Sequence, residues 1–401
     1  MEEKIKLCAV TTISKTMDWF FVDSMRNLSK YGYEITLLCD MDDDFIAKNS
    51  DYARCVPMKM KRGANIGDLF GVTAQMYKFF KKEKFDALYY ATPNAAMYAS
   101  FAGKLAGIKV RIYSQCGLRY VSFEGLKRKI FKEVEKLTCS FSTHIKAQSP
   151  KNRQFAIDEG LCKPEKISVV GIGGTIGVEL SECTAIDIAK VRPEMRRKYG
   201  IPTDAFVYGY VGRINKDKGI NELIEAFGTV SAKCKNSYLV LMGMTDETNP
   251  ITEENMRYAQ SCEHIVMTGN VPKESVYAHM AMFDALVHPT YREGFGKVLQ
   301  EAMGMKLPIL TTDVPGPSEV VEDGVSGILC RVKDSADLAE KMLLLYGDAP
   351  LRDSLSKAGF ARAKQHFDRP IMLNNILLDM NKIMCKETSD VFQCDHSDIQ
   401  C

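Results

Sequence analysis

The 401-residue chain has one tryptophan and six histidines, and its thirteen cysteines are scattered, the shortest step between two of them being from Cys394 to Cys401. Such an odd, dispersed set contains no CxxC pair for zinc or redox chemistry and suggests no disulfide framework, so a reducing cytoplasm fits it best. No histidine pairs with another His, Cys or acid at a metal-ligand spacing on one element, and no structural metal is expected. Long apolar runs are missing too. No stretch reaches the ~18 uninterrupted apolar residues of a membrane span, and the opening MEEKIKLCAVTTISK begins with acids and is too short in apolar residues for a secretory signal. The 53 basic and 51 acidic residues nearly cancel, which excludes a protein whose whole surface is a nucleic-acid footprint.

What the sequence does have is 46% hydrophobic residues, ample for buried cores, in a length that at ~150 residues per domain suggests two or three domains. Short β-rich runs alternate with longer amphipathic ones. Strand-like runs at 5–12, 34–38, 87–90, 110–113, 144–147 and 166–170 are separated by helical ones at 18–30, 69–82, 95–105, 126–137 and 151–159. This is the pattern of a parallel sheet covered by helices. It breaks at 171–203, a glycine-rich and polar stretch with no sustained period, read as a connection between domains, with Gly171 to Gly174 as a hinge. A second α/β series starts at Phe206 and runs to Leu345, followed by an amphipathic stretch from Pro370 to Met384. The fold class is therefore α/β, with two tandem Rossmann-like doubly wound domains and a cleft between them. The expected boundaries are 1–180 and 181–369 for the two domains, 370–385 for a C-terminal helix and 386–401 for a disordered tail. Residues 1–180 carry a net charge of +8 and the remainder −6, so the two parts face different partners.

Two loops carry candidate chemistry. Glu293-Gly294-Phe295-Gly296-Lys297 follows a strand and a His288-Pro289-Thr290 turn and runs into a helix. Glycines at a helix N-terminus bring free N–H groups and the positive end of the dipole to an anion, and let a ligand approach the backbone. Glu293 precedes that turn and Glu301 lies roughly one and a half helical turns beyond it, so one carboxylate can address each end of an elongated ligand. Taken alone, the stretch reads rather as a surface turn with Glu301 an ordinary helix acid. The second loop, Gly212-Arg213-Ile214-Asn215-Lys216-Asp217-Lys218-Gly219, also joins strand to helix. Arg213 and Lys218 could there neutralise a diphosphate leaving group without a metal, or could be ordinary solvated charges. Asp42-Asp43-Asp44 satisfies a loose DxD pattern but sits in a polar stretch that reads as a solvated turn.

The succession VGRINKDKGI and then HPTYREGFGKVLQEAMGMKLPILTTDVPGPSEVVEDGVSG resembles the signature of retaining glycosyltransferase family 4, whose members have the two-domain GT-B fold. In the first half, TTISKTMDWFFVDSMRNLSKYGYEITLLCD and AGKLAGIKVRIYSQCGLRY are similar to the family's bacterial surface-polysaccharide branch, which extends lipid-diphosphate-linked glycans. The resemblance implies that Arg213 and Lys218 bind the donor diphosphate, Glu293 the donor sugar and Glu301 the ribose. Gly294, Phe295 and Gly296 would offer backbone contacts to the sugar. There are three departures, one of them Lys297, where a neutral residue is more usual. The first strand-to-helix segment reads Thr11-Thr12-Ile13 where relatives often have two glycines, and Cys116-Gly117 stands where many have a histidine before glycine.

The resulting expectation is a transferase moving a hexose or N-acetylhexosamine from a nucleotide diphosphate sugar, UDP-linked, to a lipid-linked glycan in capsular, exopolysaccharide or O-antigen-type synthesis. Arg213, Lys218 and Glu293 would be the catalytic groups, with neither metal nor other cofactor. Lys127, Arg128, Lys129 and Lys132, beside Leu126, Ile130 and Phe131, would rest the protein on the anionic inner face of the cell membrane. Alternatives are a nucleotide-sugar epimerase of similar fold and a non-catalytic partner of a polysaccharide assembly complex.

Overall fold

A computed structural model of the chain describes residues 4–60 and 66–385. It divides into two compact units, Met1–Ile176 with Pro370–Cys401, and Gly177–Arg369. The division falls at 176, inside the glycine-rich connection, and the chain returns to the first unit at 370. The expected tail 386–401 lies outside the described residues.

The first unit is built on seven strands: β1 (Ile5–Ile13), β2 (Tyr33–Asp40), β3 (Ala53–Pro57), β4 (Ala87–Tyr90), β5 (Val110–Gln115), β6 (His144–Ala147) and β7 (Ile167–Val169). They pair in parallel in the order β3-β2-β1-β4-β5-β6-β7. Leu7 to Thr12 of β1 are buried without alternation, as a central parallel strand with helices on both faces requires. The helix Arg369–Ile383 packs back onto this unit. Buried Lys146 of β6 pairs with Asp379 at 2.6 Å, and Tyr33 of β2 donates to Asn381 at 2.9 Å.

The second unit has six strands, β8 (Phe206–Val211), β9 (Ser237–Met242), β10 (Ile265–Gly269), β11 (Ala285–His288), β12 (Ile309–Thr312) and β13 (Ile328–Cys330). Their parallel order is β10-β9-β8-β11-β12-β13. In both sheets the order reverses beside the first strand of the unit, which opens a crevice at the carboxyl ends of the strands flanking that point.

Three segments differ from the sequence expectation. Residues 171–203 contain a helix, Ile188–Lys198, whose apolar period is interrupted by Pro193. It is fixed by tertiary contacts instead, because buried Arg196 donates to the carbonyls of Met282, Thr203 and Ala205 and pairs with Asp284. The polar run at Asp42 is a helix start: the Asp42 side chain accepts from Phe45 N at 2.9 Å and caps Asp43–Asn49. Thr11, Thr12 and Ile13 end β1 itself rather than forming a loop.

Candidate functional site

The site is assembled at the carboxyl ends of β8 and β11, which are neighbours in the second sheet. After β8 the chain makes a short turn, Lys216–Lys218, capped by Asn215, whose side-chain oxygen accepts from Lys218 N at 3.1 Å. Gly219 then starts the helix Ile220–Lys233 at φ +69°, where a β-carbon would lie 1.9 Å from the Pro289 carbonyl oxygen. The two loops therefore touch through backbone, and only glycine permits it. Tyr291 N donates to the Asp217 carbonyl at 2.9 Å, and Arg292 binds the Asp217 carboxylate through Nη2 at 2.5 Å. These clamps set the position of the residue that follows, Glu293.

The Lys218 ammonium forms an ion pair with Glu293, both side chains being largely withdrawn from water. Burial alone would push the Glu293 carboxyl up, but the Lys218 charge, and after it His288, holds it well below the usual carboxylate range. Gly294 N lies 3.3 Å from the same carboxylate. Gly296 caps the eight-residue helix Lys297–Gly304. The Phe295 ring points into the core and meets Phe367 edge-on at 5.7 Å, so Phe295 can offer a ligand its backbone and not its ring. Glu301 lies on that helix, 3.5 Å from Lys297. Its carboxyl is raised by burial, with Lys297 and Arg369 opposing.

Arg213 is placed differently. Its side chain is 69% exposed and bound through Nη1 to Asp246 at 2.8 Å. Asp246 also accepts from Asn215 at 3.1 Å and Thr248 Oγ1 at 2.6 Å. Those hydrogen bonds, Thr248 first, bring its carboxyl down to about 2. Lys218, Glu293 and His288 are thus gathered into one cluster, Arg213 is tethered beside it by Asp246, and Glu301 stands along the following helix.

Three residues of the site escaped the sequence reading. Asp246 orients Arg213 from the loop after β9. Gly316, at φ +94°, has a backbone on which a β-carbon would lie 2.8 Å from the Glu293 carbonyl oxygen, and its N–H is held by Glu319 at 3.0 Å. His288, the last residue of β11, is 1% exposed and stacks on Tyr210 at 5.5 Å with its Nε2 3.6 Å from Glu293. A PGPSE run and a His-Pro pair were the available signals, and neither specifies such contacts.

In the first unit, Cys116 follows β5 with its thiol 3.4 Å from Ser114 Oγ and 3.6 Å from Gln148 Nε2, and burial pushes the thiol up. The basic stretch is the helix Gly125–Phe141. Leu126 and Ile130 are exposed, and so are Lys127 and Lys129. Phe131 is not: it packs against the core and Phe123, at 4.9 Å. Lys132 and Arg128 both turn to Glu159, at 2.7 and 3.7 Å. Among the described residues no helix is long and apolar enough to cross a membrane. Nor, among them, do three or more His, Cys, Asp or Glu side chains gather as metal ligands would.

Residues 191–362 match the family described as glycosyl transferases group 1, and residues 6–149 match glycosyl transferase 4-like. The capsular polysaccharide biosynthesis glycosyltransferase CapM of Staphylococcus aureus is 30% identical over 92% of this chain and 94% of its own. The chain belongs to glycosyltransferase family 4. The putative glycosyltransferase EpsD of Bacillus subtilis is 22% identical over 90% of this chain and 91% of its own. In fold, this glycosyltransferase is similar to Anabaena Alr3699/HepE, solved in complex with UDP and glucose, with a TM-score of 0.78 and 17% identity over 94% of this chain and all of that one. Its two Rossmann-like units are those of the GT-B fold, and its activity is that of a transferase.

Proposed function

We propose that this glycosyltransferase takes a hexose or N-acetylhexosamine from a UDP-linked donor and adds it, with retention of configuration, to a lipid-linked glycan in the assembly of a capsular or related surface polysaccharide. The observation that carries this reading is the pairing of Lys218 with Glu293 at the carboxyl ends of β8 and β11. It puts a cation for a diphosphate and a carboxylate for sugar hydroxyls side by side. Arg213 adds a second cation from the same loop. The name of CapM, the relative aligned over nearly the whole chain, supports the polysaccharide setting, and the UDP and glucose bound to the Anabaena protein support the donor class.

Retention is accounted for by attack on the face from which the leaving group departs. The bond from the anomeric carbon to the diphosphate oxygen breaks with its electron pair going to the diphosphate, where Lys218 and Arg213 stabilise the new charge. The acceptor hydroxyl oxygen bonds to the oxocarbenium-like carbon, and its proton passes to the departing diphosphate oxygen. Glu293 orients the sugar and stabilises positive charge at the ring without forming a covalent bond. Two protein cations on the diphosphate make a bound metal unnecessary in this scheme. Access to a lipid-linked acceptor is supplied by the helix Gly125–Phe141 resting on an anionic membrane surface.

A panel of nucleotide sugars tested by thermal shift checks the donor. At a concentration of 100 times Kd a ligand stabilises the fold by about 2.7 kcal/mol, so the true donor is expected to raise Tm clearly above the others, and transfer with it is expected to persist in EDTA. If no nucleotide sugar moves Tm, the reading fails. If EDTA abolishes transfer and Mg²⁺ or Mn²⁺ restores it, the metal-free scheme fails.

A further inference from the structure

Both ring nitrogens of His288 are buried, and neither has a hydrogen-bond partner. Other imidazoles of this protein are held in the usual way. His279 is fixed by the Ser275 carbonyl at 2.7 Å and the Tyr199 hydroxyl at 3.0 Å, and His264 by the Ser237 carbonyl at 2.9 Å. Leaving a buried polar group unpaired costs roughly 1–3 kcal/mol, so a side chain that spans two such atoms calls for an explanation. Its surroundings supply one. The Tyr210 ring lies parallel to the imidazole, at an interplanar angle of 8°, and presents the edge of the ring toward Glu293. Nε2 is 3.6 Å from that carboxylate, just beyond hydrogen-bond reach.

We propose that His288 is a positioning residue for sugar transfer, whose Nε2–H takes over the Glu293 carboxylate when a donor diphosphate draws Lys218 away. This rests on the reading of Lys218 and Glu293 as the donor site. The ammonium that would meet the diphosphate is held by Glu293 in the unliganded protein. For Lys218 to turn to phosphate, the partly buried carboxylate must find another donor, and Gly294 N at 3.3 Å is poorly placed to serve alone. A shift of roughly half an ångström brings His288 into hydrogen-bond range. Tyr210, Lys218 and Glu293 are the ionisable groups facing the ring, and burial keeps it neutral. A neutral imidazole donates one N–H without adding a charge that would compete with Lys218 for the diphosphate. The device therefore releases a cation at the moment the ligand needs it.

A double-mutant cycle on UDP affinity tests this, using calorimetry on the full-length wild type, His288→Phe, Glu293→Gln and the double variant, with Lys218→Ala as reference. Phenylalanine keeps the stacking surface and removes the N–H. It is expected to weaken UDP binding about tenfold in the wild-type background, the scale of one hydrogen bond to a charged group. In the Glu293→Gln background, where Lys218 is already free, it should change nothing. His288→Gln, which retains an N–H donor, should recover most of the affinity. A loss equal in both backgrounds, or no loss in either, would mean that the ring only packs, and the proposal is overturned. Failure of the wild type to bind UDP, or UDP affinity that Lys218→Ala leaves unchanged, overturns the donor reading itself and the role of His288 with it. Should His288→Phe not fold, ¹⁵N-histidine spectra of the wild type decide: UDP is expected to shift the Nε2–H of one buried neutral imidazole, and no shift overturns the proposal.

Discussion

Lys218 and Glu293 neutralise one another across two loops, the lysine from the segment after β8 and the glutamate from the segment after β11. The pair joins stability to the proposed function, because each partner is largely out of water and each has a proposed role toward the donor. Removing one partner of such a pair leaves the other charge uncompensated, at a cost of up to ~3–5 kcal/mol for full burial and less here, where both retain some exposure. Lys218→Ala is expected to lower both Tm and turnover, the latter on the order of 10² or more. Adding Glu293→Gln should restore much of Tm and none of the turnover. Thermal melts and initial rates of the two single variants and the double variant check this; recovery of rate along with Tm would remove Lys218 from the diphosphate.

The two glutamates flanking the glycine turn have opposite linkage to pH. Glu293 titrates below its unfolded value, so its contribution to stability is present above ~4.3 and is lost as pH falls through the folded value. Glu301 is raised by burial against the pull of Lys297 and Arg369. Its sign is reversed: it favours folding below ~4.3 and loses that as pH rises through its own raised value. Glu301→Gln is therefore expected to raise the urea midpoint at neutral pH and to match wild type in acid, whereas Glu293→Gln should lower the neutral midpoint. Equal midpoints at neutral pH for wild type and Glu301→Gln would show that the neighbouring cations fully offset its burial. Nucleotide-sugar affinity should fall in both variants, which separates the stability effect from function.

Gly316 lies against the backbone of the Glu293-Gly294 turn. Its φ of +94° and the 2.8 Å approach of a β-carbon to the Glu293 carbonyl oxygen leave no room for alanine without moving the Glu293-Gly294 turn. Gly316→Ala is expected to cost about 1–3 kcal/mol of stability and to weaken donor binding, although Gly316 carries no side chain to offer a ligand. Intact donor affinity in a destabilised variant would show that the Glu293 turn holds its shape without this contact.

Strands and helices were legible where burial leaves an unbroken apolar run or a clean helical period. The bounds of β4 and β6 coincide with the sequence reading, and β8 begins at Phe206, where the second series was expected to start. Edge strands β3 and β13 are short and offer no run of comparable length, and the helix Ile188–Lys198 owes its place to Arg196 reaching carbonyls far along the chain. At the site, Arg213, Lys218, Glu293 and Glu301 stood out because the charged and glycine-rich loops concentrate them in two short segments. His288, Asp246 and Gly316 did not. Their roles exist only once β8 lies beside β11 and the β9 loop beside Arg213, a juxtaposition that parallel pairing across long crossovers creates and local sequence does not encode.

The same geometry redistributes the expected membrane contact among Lys127, Arg128, Lys129 and Lys132 of the helix Gly125–Phe141. Lys132 and Arg128 are engaged by Glu159, which also accepts from Tyr120 at 3.1 Å, and Phe131 is turned into the core. Lys127 and Lys129 lie beside exposed Leu126 and Ile130, and Lys127 sits over the Phe123 ring at 4.1 Å without losing its charge. Each free basic residue near an anionic surface contributes about 1 kcal/mol, so on the proposed reading two unpaired lysines and two exposed aliphatic side chains would give reversible, salt-sensitive attachment. Lys127→Gln with Lys129→Gln is expected to reduce co-sedimentation with phosphatidylserine vesicles roughly 10–30-fold at low salt. Arg128→Gln with Lys132→Gln should have a smaller effect, since their charges are already partly answered by Glu159. Replacing Leu126 and Ile130 with serine should remove the salt-resistant part of the binding and leave the salt-dependent part in place. If both lysine-free and aliphatic-free variants sediment like wild type, this helix is an ordinary solvated face and the proposed access to a lipid-linked acceptor through it fails.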